Sequence, residues 1–89
     1  MYSKESVIIN PSGLHARPAA EFVAEAKKYD AKIQIKRFDE KDAVNAKSIV
    51  MILSKAFAKG DVVQILADGN DEQVAVDSLV ALINSGFSE

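Results

Sequence analysis

Residues 6–19 read SVIINPSGLHARPA and place the signals for a strand, a turn and a helix in immediate succession. The β-branched run at residues 6–9 is typical of a strand, and the turn-forming residues 10–13 end it. Apolar residues then recur at the spacing of an amphipathic helix: Ala19, Phe22, Val23 and Ala26. Pro18 fits only the first turn of that helix, because its missing N–H has no intrahelical acceptor there in any case. We therefore expect the helix to begin near position 15 or 16.

The middle of the chain predicts two further strands and a short helix. Residues 31–36 alternate strictly between apolar and polar side chains, which is typical of a half-buried strand. Polar residues then form a loose turn into a short strand at 43–45. Ser48 precedes the apolar run 49–53 and is typical of an N-cap, so we expect a short helix to about Ala56. A buried strand is the alternative.

The last third of the chain predicts one strand and a closing helix. Residues 62–66 are a mostly apolar, β-branched run between two turns. We expect the helix to start at Asn70 or Asp71, since Asn70 and Gln73 have the spacing of a capping box, and Gly86 to stop it in a left-handed conformation. The core-facing stripe of this helix comprises Val76, Leu79, Val80 and Ile83.

The predicted order of elements is βαββαβα within a single domain over residues 1–89. Each strand offers one apolar and one polar face, which is typical of an antiparallel sheet with one solvated side. The predicted fold class is therefore α+β: an open-faced α/β sandwich whose helices pack on one face of a four-stranded antiparallel sheet.

Composition excludes several functional classes. The chain has 11 Lys+Arg, 13 Asp+Glu, a formal charge of -2 and no Cys. Disulfide scaffolds and thiolate metal sites are excluded, and without a broad basic surface we expect no nucleic-acid partner. The apolar run at residues 49–53 is far too short to span a bilayer, and the first residues lack the apolar core of a signal peptide. We expect a soluble, cytoplasmic protein without membrane insertion.

The segment Gly13–Pro18 places the single histidine where a turn meets a helix N-terminus. The first backbone N–H groups of the helix, from Ala16 onward, lack intrahelical acceptors and lie at the positive end of the helix dipole, which favours a phosphate. The same positive end disfavours imidazolium, so we expect His15 to keep a neutral, nucleophilic nitrogen. Arg17 adds a cation and Ser12 a hydroxyl, and both suit a phosphoryl group.

Each of these residues also has an ordinary structural explanation. His15 fits a capping or solvent-facing residue, Arg17 a solvated surface cation, and Ser12 a turn residue. Spacing alone does not choose between the two interpretations.

Three separated motifs extend over nearly the whole chain: GLHARPA at 13–19, NAKSI at 45–49 and DGNDE at 68–72. Together they resemble the HPr family, the histidine-containing phosphocarriers of the bacterial phosphotransferase system. The resemblance implies that His15 accepts a phosphoryl group on Nδ1 from phosphorylated enzyme I and passes it to enzyme IIA domains of sugar transporters. Arg17 would orient and stabilise the transferred group. The chain would then be a carrier rather than an enzyme, with no cofactor and no metal.

The resemblance also implies a regulatory site at Ser48. In family members of low-GC Gram-positive bacteria, the matching serine is phosphorylated by an HPr kinase/phosphorylase, and the product is a corepressor of a catabolite-control transcription regulator. A phosphate at the start of a short helix is favoured by the helix dipole. A plain N-cap remains the alternative for Ser48.

The chain departs from the family pattern after the second motif. Family members commonly read Met-Gly and then Ser-Leu-Gly-Ile, whereas this chain has Val50-Met51 and Ser54-Lys55-Ala56-Phe57. Ala is a better helix former than Gly by about 1 kcal/mol, so we expect a firmer helix. Lys55 puts a charge where an apolar contact residue is common, and the turn at residues 38–43 is longer than usual.

We predict that both partners dock on exposed apolar residues around His15: Leu14, Ile49, Met51 and Ile52. Core packing is the alternative for each, because periodicity does not show which side of a short helix faces water. Two other functions stay open, a phosphocarrier of the nitrogen-related phosphotransferase branch and an acylphosphatase-like enzyme. We expect the chain to act as a monomer.

Overall fold

The computed structural model describes residues 1–89 and has four strands, three helices and a terminal 3₁₀ turn. In chain order these are β1 (Tyr2–Val7), α1 (Ala16–Ala26), β2 (Lys32–Arg37), β3 (Val44–Asn45), α2 (Ile49–Lys55), β4 (Val62–Asp68) and α3 (Glu72–Asn84), then the 3₁₀ turn Gly86–Ser88. One sheet has the order β1-β4-β2-β3, and every neighbouring pair is antiparallel. The predicted α+β open-faced sandwich is confirmed, and α2 is a helix rather than a buried strand.

The hydrophobic core lies between the helices and one face of the sheet. Strand residues on that face are buried, as at Ile33 and Ile35 in β2 and at Val63 and Ile65 in β4. Their neighbours along each strand lie on the opposite, solvated face, because side chains alternate across a sheet. The helices contribute a larger set of buried side chains: Ala19, Phe22, Val23, Ala26, Ile52, Ala75, Val76, Leu79 and Ile83. Of the predicted stripe on α3, only Val80 is partly exposed.

No helix combines the length and the apolar character that crossing a membrane requires.

The first strand lies earlier in the chain than its β-branched run predicted. β1 spans Tyr2–Val7 and pairs with β4, with Val7 opposite Val62. Beyond that pair the chain leaves the ladder, although the Ile8 N–H still donates to the Asp61 carbonyl over 3.0 Å. Pairing with β4 therefore sets the bounds of this edge strand, and local propensity does not.

The start of α3 differs from the predicted capping box. Asp71 is the N-cap but makes no capping hydrogen bond with its side chain. Its carboxylate instead accepts from the N–H groups of Asp30 and Ala31, over 2.8 and 2.9 Å. Glu72, rather than Gln73, reaches back to the preceding turn and accepts from the Gly69 N–H over 3.1 Å. Asp71 thus joins the start of α3 to the segment before β2.

Two of the predicted departures from the family pattern contact each other. Lys55, in the last turn of α2, forms an ion pair with Glu40 of the long β2–β3 turn, with 3.0 Å between Nζ and Oε1. Arg37 donates from Nη2 to the carbonyls of Lys55 and Ala56, over 2.7 and 3.0 Å, and from Nε to Asp61 over 3.0 Å. These contacts satisfy the carbonyls at the C-terminus of α2. The charge at position 55 is therefore paired within the chain.

Ala56 does not strengthen α2 in the expected way. It is the C-cap residue and adopts a left-handed conformation with φ 52°. Glycine is favoured at such a position because Ala pays a steric cost for its Cβ. The expectation of a firmer helix is wrong at this residue, since helix propensity applies to the helix interior and not to a left-handed cap.

The hydrogen bonds of Asp71 predict a pH-dependent contribution to stability. The backbone N–H groups of Asp30 and Ala31 lower the pKa of Asp71, so the folded protein stabilises the ionised form. That contribution is present above the ordinary Asp pKa and is lost as the pH falls through the lowered folded value. In urea unfolding, the stability gap between the wild type and Asp71→Asn should therefore be wide at neutral pH and shrink on acidification. Asp39→Asn changes an exposed Asp without hydrogen bonds and should show no such pattern.

The left-handed conformation of Ala56 predicts that glycine at this position stabilises the protein. Ala56→Gly should raise the free energy of unfolding by about 0.5–1 kcal/mol, because it removes the steric cost of the Cβ. Ala20→Gly, in the exposed interior of α1, should lower it by about the same amount. Denaturant titration of both variants provides the measurement, and a loss of stability in both would contradict the assignment of the cap.

Candidate functional site

The loop before α1 is held by close backbone contacts. Asn10 is buried, and its Nδ2 donates to the Gly13 carbonyl over 2.9 Å. The Leu14 N–H donates to the Phe57 carbonyl over 3.0 Å. Gly13 has φ 65°, and a Cβ built on it would lie 2.4 Å from the Phe57 carbonyl oxygen, so only glycine fits. The buried Leu14 side chain completes the anchor directly before the single histidine.

His15 is exposed and stands at the N-cap of α1. Its backbone is extended, with φ -141° and ψ 154°, and its side chain makes no capping hydrogen bond. The simple capping alternative for this residue is therefore wrong. α1 begins at Ala16, as predicted, and Pro18 lies in its first turn. The first N–H groups of α1 lack intrahelical acceptors, so an unused imidazole lies next to unused backbone donors.

Arg17 is engaged with two groups on the protein surface. Nη1 lies 2.6 Å from Glu21 Oε1, one helical turn away, and Nη2 donates to the Phe87 carbonyl over 3.2 Å. The Arg17 side chain remains about half exposed, at 54%. An exposed pair of this kind contributes about 0–1 kcal/mol, so its exchange for an incoming anion costs little.

Ser12 is engaged with Glu89, a residue that sequence reasoning missed. Ser12 Oγ donates to Oε2 over 2.9 Å, and the Ser12 N–H donates to Oε1 over 3.1 Å. Asn10 Nδ2 also donates to Oε1, over 3.0 Å. These hydrogen bonds, first that of Asn10 and then those of Ser12, lower the pKa of Glu89. No sequence signal predicts the contact, because nothing local relates residues this far apart.

Ser48 is the N-cap of α2, as predicted. Its backbone is extended, with φ -112° and ψ 111°, and Oγ accepts from the Met51 N–H over 3.3 Å. The Ser48 carbonyl accepts from Ile52, which begins the helical hydrogen-bond pattern. The residue is half-buried, so part of it is open to solvent at the start of the helix.

The predicted docking patch is only partly on the surface. Leu14 and Ile52 are fully buried, so they belong to the core and the expectation that they are exposed is wrong. Ile49 and Met51 are exposed, as predicted. The exposed apolar side of α2 also includes Val50, at 70%, and Leu53. The sequence alone did not show which of these residues are buried and which are exposed, because all five positions of the run are apolar. Only packing against the core decides which side of the helix is buried.

His15 lines none of the five surface depressions of the structure. No group of three or more His, Cys, Asp or Glu side chains is arranged to hold a metal ion. The His15 side chain is therefore open to solvent.

Comparison with known proteins gives one consistent assignment. A family model described as "PTS HPr component phosphorylation site" matches residues 2–85. The phosphocarrier protein HPr of Haemophilus influenzae is 46% identical over 83 residues, which are 93% of this chain and 95% of that protein. The HPr-like protein Crh of Halalkalibacterium halodurans is 41% identical, over 93% of this chain and 96% of its own. A crystal structure of HPr from Thermoanaerobacter tengcongensis superposes with a TM-score of 0.93 at 44% identity, covering 100% of this chain and 98% of that one.

Proposed function

The chain belongs to the HPr family of phosphocarriers of the phosphotransferase system, and from this we propose that His15 is its phosphoryl acceptor. The donor is phosphorylated enzyme I, and the acceptors are enzyme IIA domains of sugar transporters. The observation that carries the proposal is the exposed imidazole at the N-terminus of α1, which makes no capping bond and lies next to unused backbone donors.

The transfer requires one neutral ring nitrogen. That nitrogen of His15, Nδ1 by the family resemblance, attacks phosphorus with its lone pair. The bond from phosphorus to the donor group of enzyme I breaks, and that group keeps the electron pair. In the second transfer His15 is the leaving group and keeps the electron pair, and the nucleophile of the enzyme IIA domain forms the new bond to phosphorus. Backbone N–H groups from Ala16 onward and the Arg17 guanidinium bind the phosphoryl oxygens.

Arg17 and Ser12 must change partners for this role. Both bind groups of the C-terminal segment, Arg17 through the Phe87 carbonyl and Ser12 through Glu89. A phosphoryl group with about two negative charges is a stronger acceptor than the Phe87 carbonyl, and it carries more charge than the Glu89 carboxylate. The existing contacts thus hold both side chains near the site until the phosphoryl group arrives.

The partners supply the enclosing surface. Because His15 lies on an open surface, alignment of donor and acceptor depends on the enzyme I and enzyme IIA active sites. We assign docking to the exposed side of α2, with Ile49 and Met51 from the sequence prediction and Val50 added. Methionine suits a surface that binds different partners, because it is flexible and polarizable. A single chain carries both His15 and this surface, which supports action as a monomer. The proposed place of action is the cytoplasm.

Ser48 is proposed as a second, regulatory phosphorylation site. Its position as N-cap of α2 puts its hydroxyl beside free backbone N–H groups at the positive end of a helix, where a phosphate is favoured. An HPr kinase/phosphorylase phosphorylates Ser48, and a catabolite-control transcription regulator binds the phosphorylated protein. The added charge lies next to Ile49 and Val50, so it alters the docking surface without unfolding the domain.

The sugar branch is favoured over an acylphosphatase-like enzyme, and a carrier of the nitrogen-related branch is the remaining alternative. An acylphosphatase-like enzyme would need a phosphate-binding cleft at its catalytic residues, and His15 lies in no cleft. A carrier of the nitrogen-related branch would use the same histidine chemistry with a different enzyme I. Parallel assays with enzyme I of each branch, and with an acyl phosphate alone, separate the three functions.

The phosphocarrier proposal predicts a specific loss in two variants. With phosphoenolpyruvate and enzyme I, the wild type should gain an acid-labile phosphoryl adduct by mass spectrometry, and His15→Ala should gain none. Arg17→Ala should fold normally and transfer at least about tenfold more slowly, since it removes a charge-assisted donor to the phosphoryl oxygens. Lys32→Ala removes a cation on the opposite face of the sheet and should leave the rate unchanged. Labelling that survives in His15→Ala would contradict the proposal.

The regulatory proposal predicts a chemically distinct product. With HPr kinase/phosphorylase and ATP, the wild type and His15→Ala should both gain an acid-stable phosphoserine, while Ser48→Ala should gain none. The Ser48→Ala variant should also lose about 0.5–2 kcal/mol of stability, because the N-cap hydrogen bond to Met51 disappears. Peptide mapping and thermal melts test the two effects separately. An unmodified wild type would show that Ser48 is a cap only.

A further inference from the structure

The chain has two side chains that contain sulfur, and both are methionines. It has no cysteine and no tryptophan. Cysteine and methionine are the side chains that a peroxide oxidises most readily, so in this chain the reaction falls on Met1 and Met51. Both are exposed, Met1 at 77% and Met51 at 42%. A peroxide therefore has two identifiable sulfur atoms to attack.

The two methionines lie on different layers of the molecule. Met51 is in α2, on the exposed apolar side that also presents Ile49 and Val50. Met1 precedes β1 and lines a depression together with β2 and β4 residues of the solvated sheet face. Its amino group lies 3.3 Å from Oε2 of Glu72, at the start of α3. Because Ile49 and Val50 are hydrocarbon, Met51 is the position at which a peroxide changes the chemistry of the docking surface.

The contacts that hold α2 at position 51 do not use the sulfur. The core takes Ile52 from this helix and leaves Met51 outside. The Met51 N–H donates to Ser48 Oγ over 3.3 Å, and the Met51 carbonyl accepts from Ser54 Oγ over 2.7 Å. An oxygen added near the end of the side chain thus leaves the helix and its cap in place. Its effect falls on whatever binds the outer side of α2.

Methionine sulfoxide lacks the property on which docking depends. The thioether is apolar, flexible and polarizable, so it adapts to different partner surfaces. The sulfoxide is polar and carries an S=O acceptor. Burying that acceptor against an apolar partner surface without a hydrogen-bond donor costs free energy. A partner that fits Met51 therefore binds the sulfoxide less tightly.

We propose that Met51 is an oxidation site through which hydrogen peroxide lowers the affinity of this carrier for its partners. The sulfur lone pair of Met51 attacks one peroxide oxygen, and the O–O bond breaks. Hydroxide leaves with the electron pair and takes the proton from the transferred oxygen to give water. Sulfur is oxidised by two electrons, and the peroxide is reduced. This inference rests on the proposed function, because it requires partners that dock on α2.

The step is reversible by enzymes that reduce methionine sulfoxide. A dithiol supplies two electrons, becomes a disulfide, and the sulfoxide oxygen leaves as water. Repair of Met51 restores the thioether, and with it the apolar docking surface next to Ile49 and Val50. The modification is therefore a switch rather than permanent damage.

The experiment compares each protein with its own untreated sample. Wild type and Met51→Leu are oxidised with hydrogen peroxide, the peroxide is removed, and peptide mapping confirms oxidation at both methionines of the wild type and at Met1 of the variant. Phosphoryl uptake from phosphoenolpyruvate and enzyme I is then measured over a range of carrier concentrations. Oxidation of the wild type should raise KM about fivefold or more and change kcat by less than about twofold.

Oxidised Met51→Leu is the matched control. It still carries the sulfoxide at Met1, on the other layer of the molecule, so its KM should equal that of untreated Met51→Leu. Because each ratio is taken within one protein, the effect of the substitution on docking cancels. An equal KM ratio for wild type and Met51→Leu would overturn the inference.

Repair and folding measurements separate docking from a structural effect. Methionine sulfoxide reductases for both sulfoxide epimers should return the KM of oxidised wild type to its untreated value. Thermal melts should coincide before and after oxidation, and unfolding on oxidation would overturn the inference. An untreated wild type that takes no phosphoryl group on His15 would instead overturn the proposed function, before any oxidation is tested.

Discussion

The hydrogen bond from the Leu14 N–H to the Phe57 carbonyl, 3.0 Å long, ties the loop before α1 to the segment after α2. It forms only because Gly13 has no Cβ, which would lie 2.4 Å from the same carbonyl oxygen. Leu14 then enters the core, and the next residue, His15, emerges on the surface. A bulkier residue at position 13 would separate the two segments and move the histidine away from α2. The location of the whole functional surface depends on this one close approach.

The polar side chains of Ser12 and Arg17 are occupied, but by contacts that are easily exchanged. Arg17 binds Glu21 and the Phe87 carbonyl, and Ser12 binds Glu89. Exposed hydrogen bonds and ion pairs of this kind have small net free energies, because water replaces either partner at little cost. A carrier that must take up and release a phosphoryl group needs such a balance, since a site that bound phosphate tightly would not release it.

The C-terminus of α2 shows how the chain accommodates its departures from the family pattern. Lys55 is paired with Glu40 of the β2–β3 turn, and Arg37 donates to the carbonyls of residues 55 and 56. The guanidinium of Arg37 also stacks 5.0 Å from the centroid of the Phe57 ring. The same cluster therefore supports both α2 and the segment that receives the Leu14 N–H. It fixes the exposed apolar side of α2 relative to the loop before α1.

Local sequence patterns predicted the order of the elements and the packing of helices on one face of a sheet. They also predicted the start of α1 at Ala16 and the N-cap at Ser48. These features could be predicted because periodicity, proline and N-cap chemistry act over a few residues. Packing decided which residues of α2 are exposed: Ile52 turns into the core while Ile49, Val50 and Met51 face solvent. Three further features could be seen only in the folded chain: the bounds of the strand Tyr2–Val7, the hydrogen bonds of Asp71 to the segment before β2, and the hydrogen bonds from Ser12 to Glu89. Each of these joins residues that are distant in sequence, and a side chain's partner across such a distance is set only once the core has brought the two segments together.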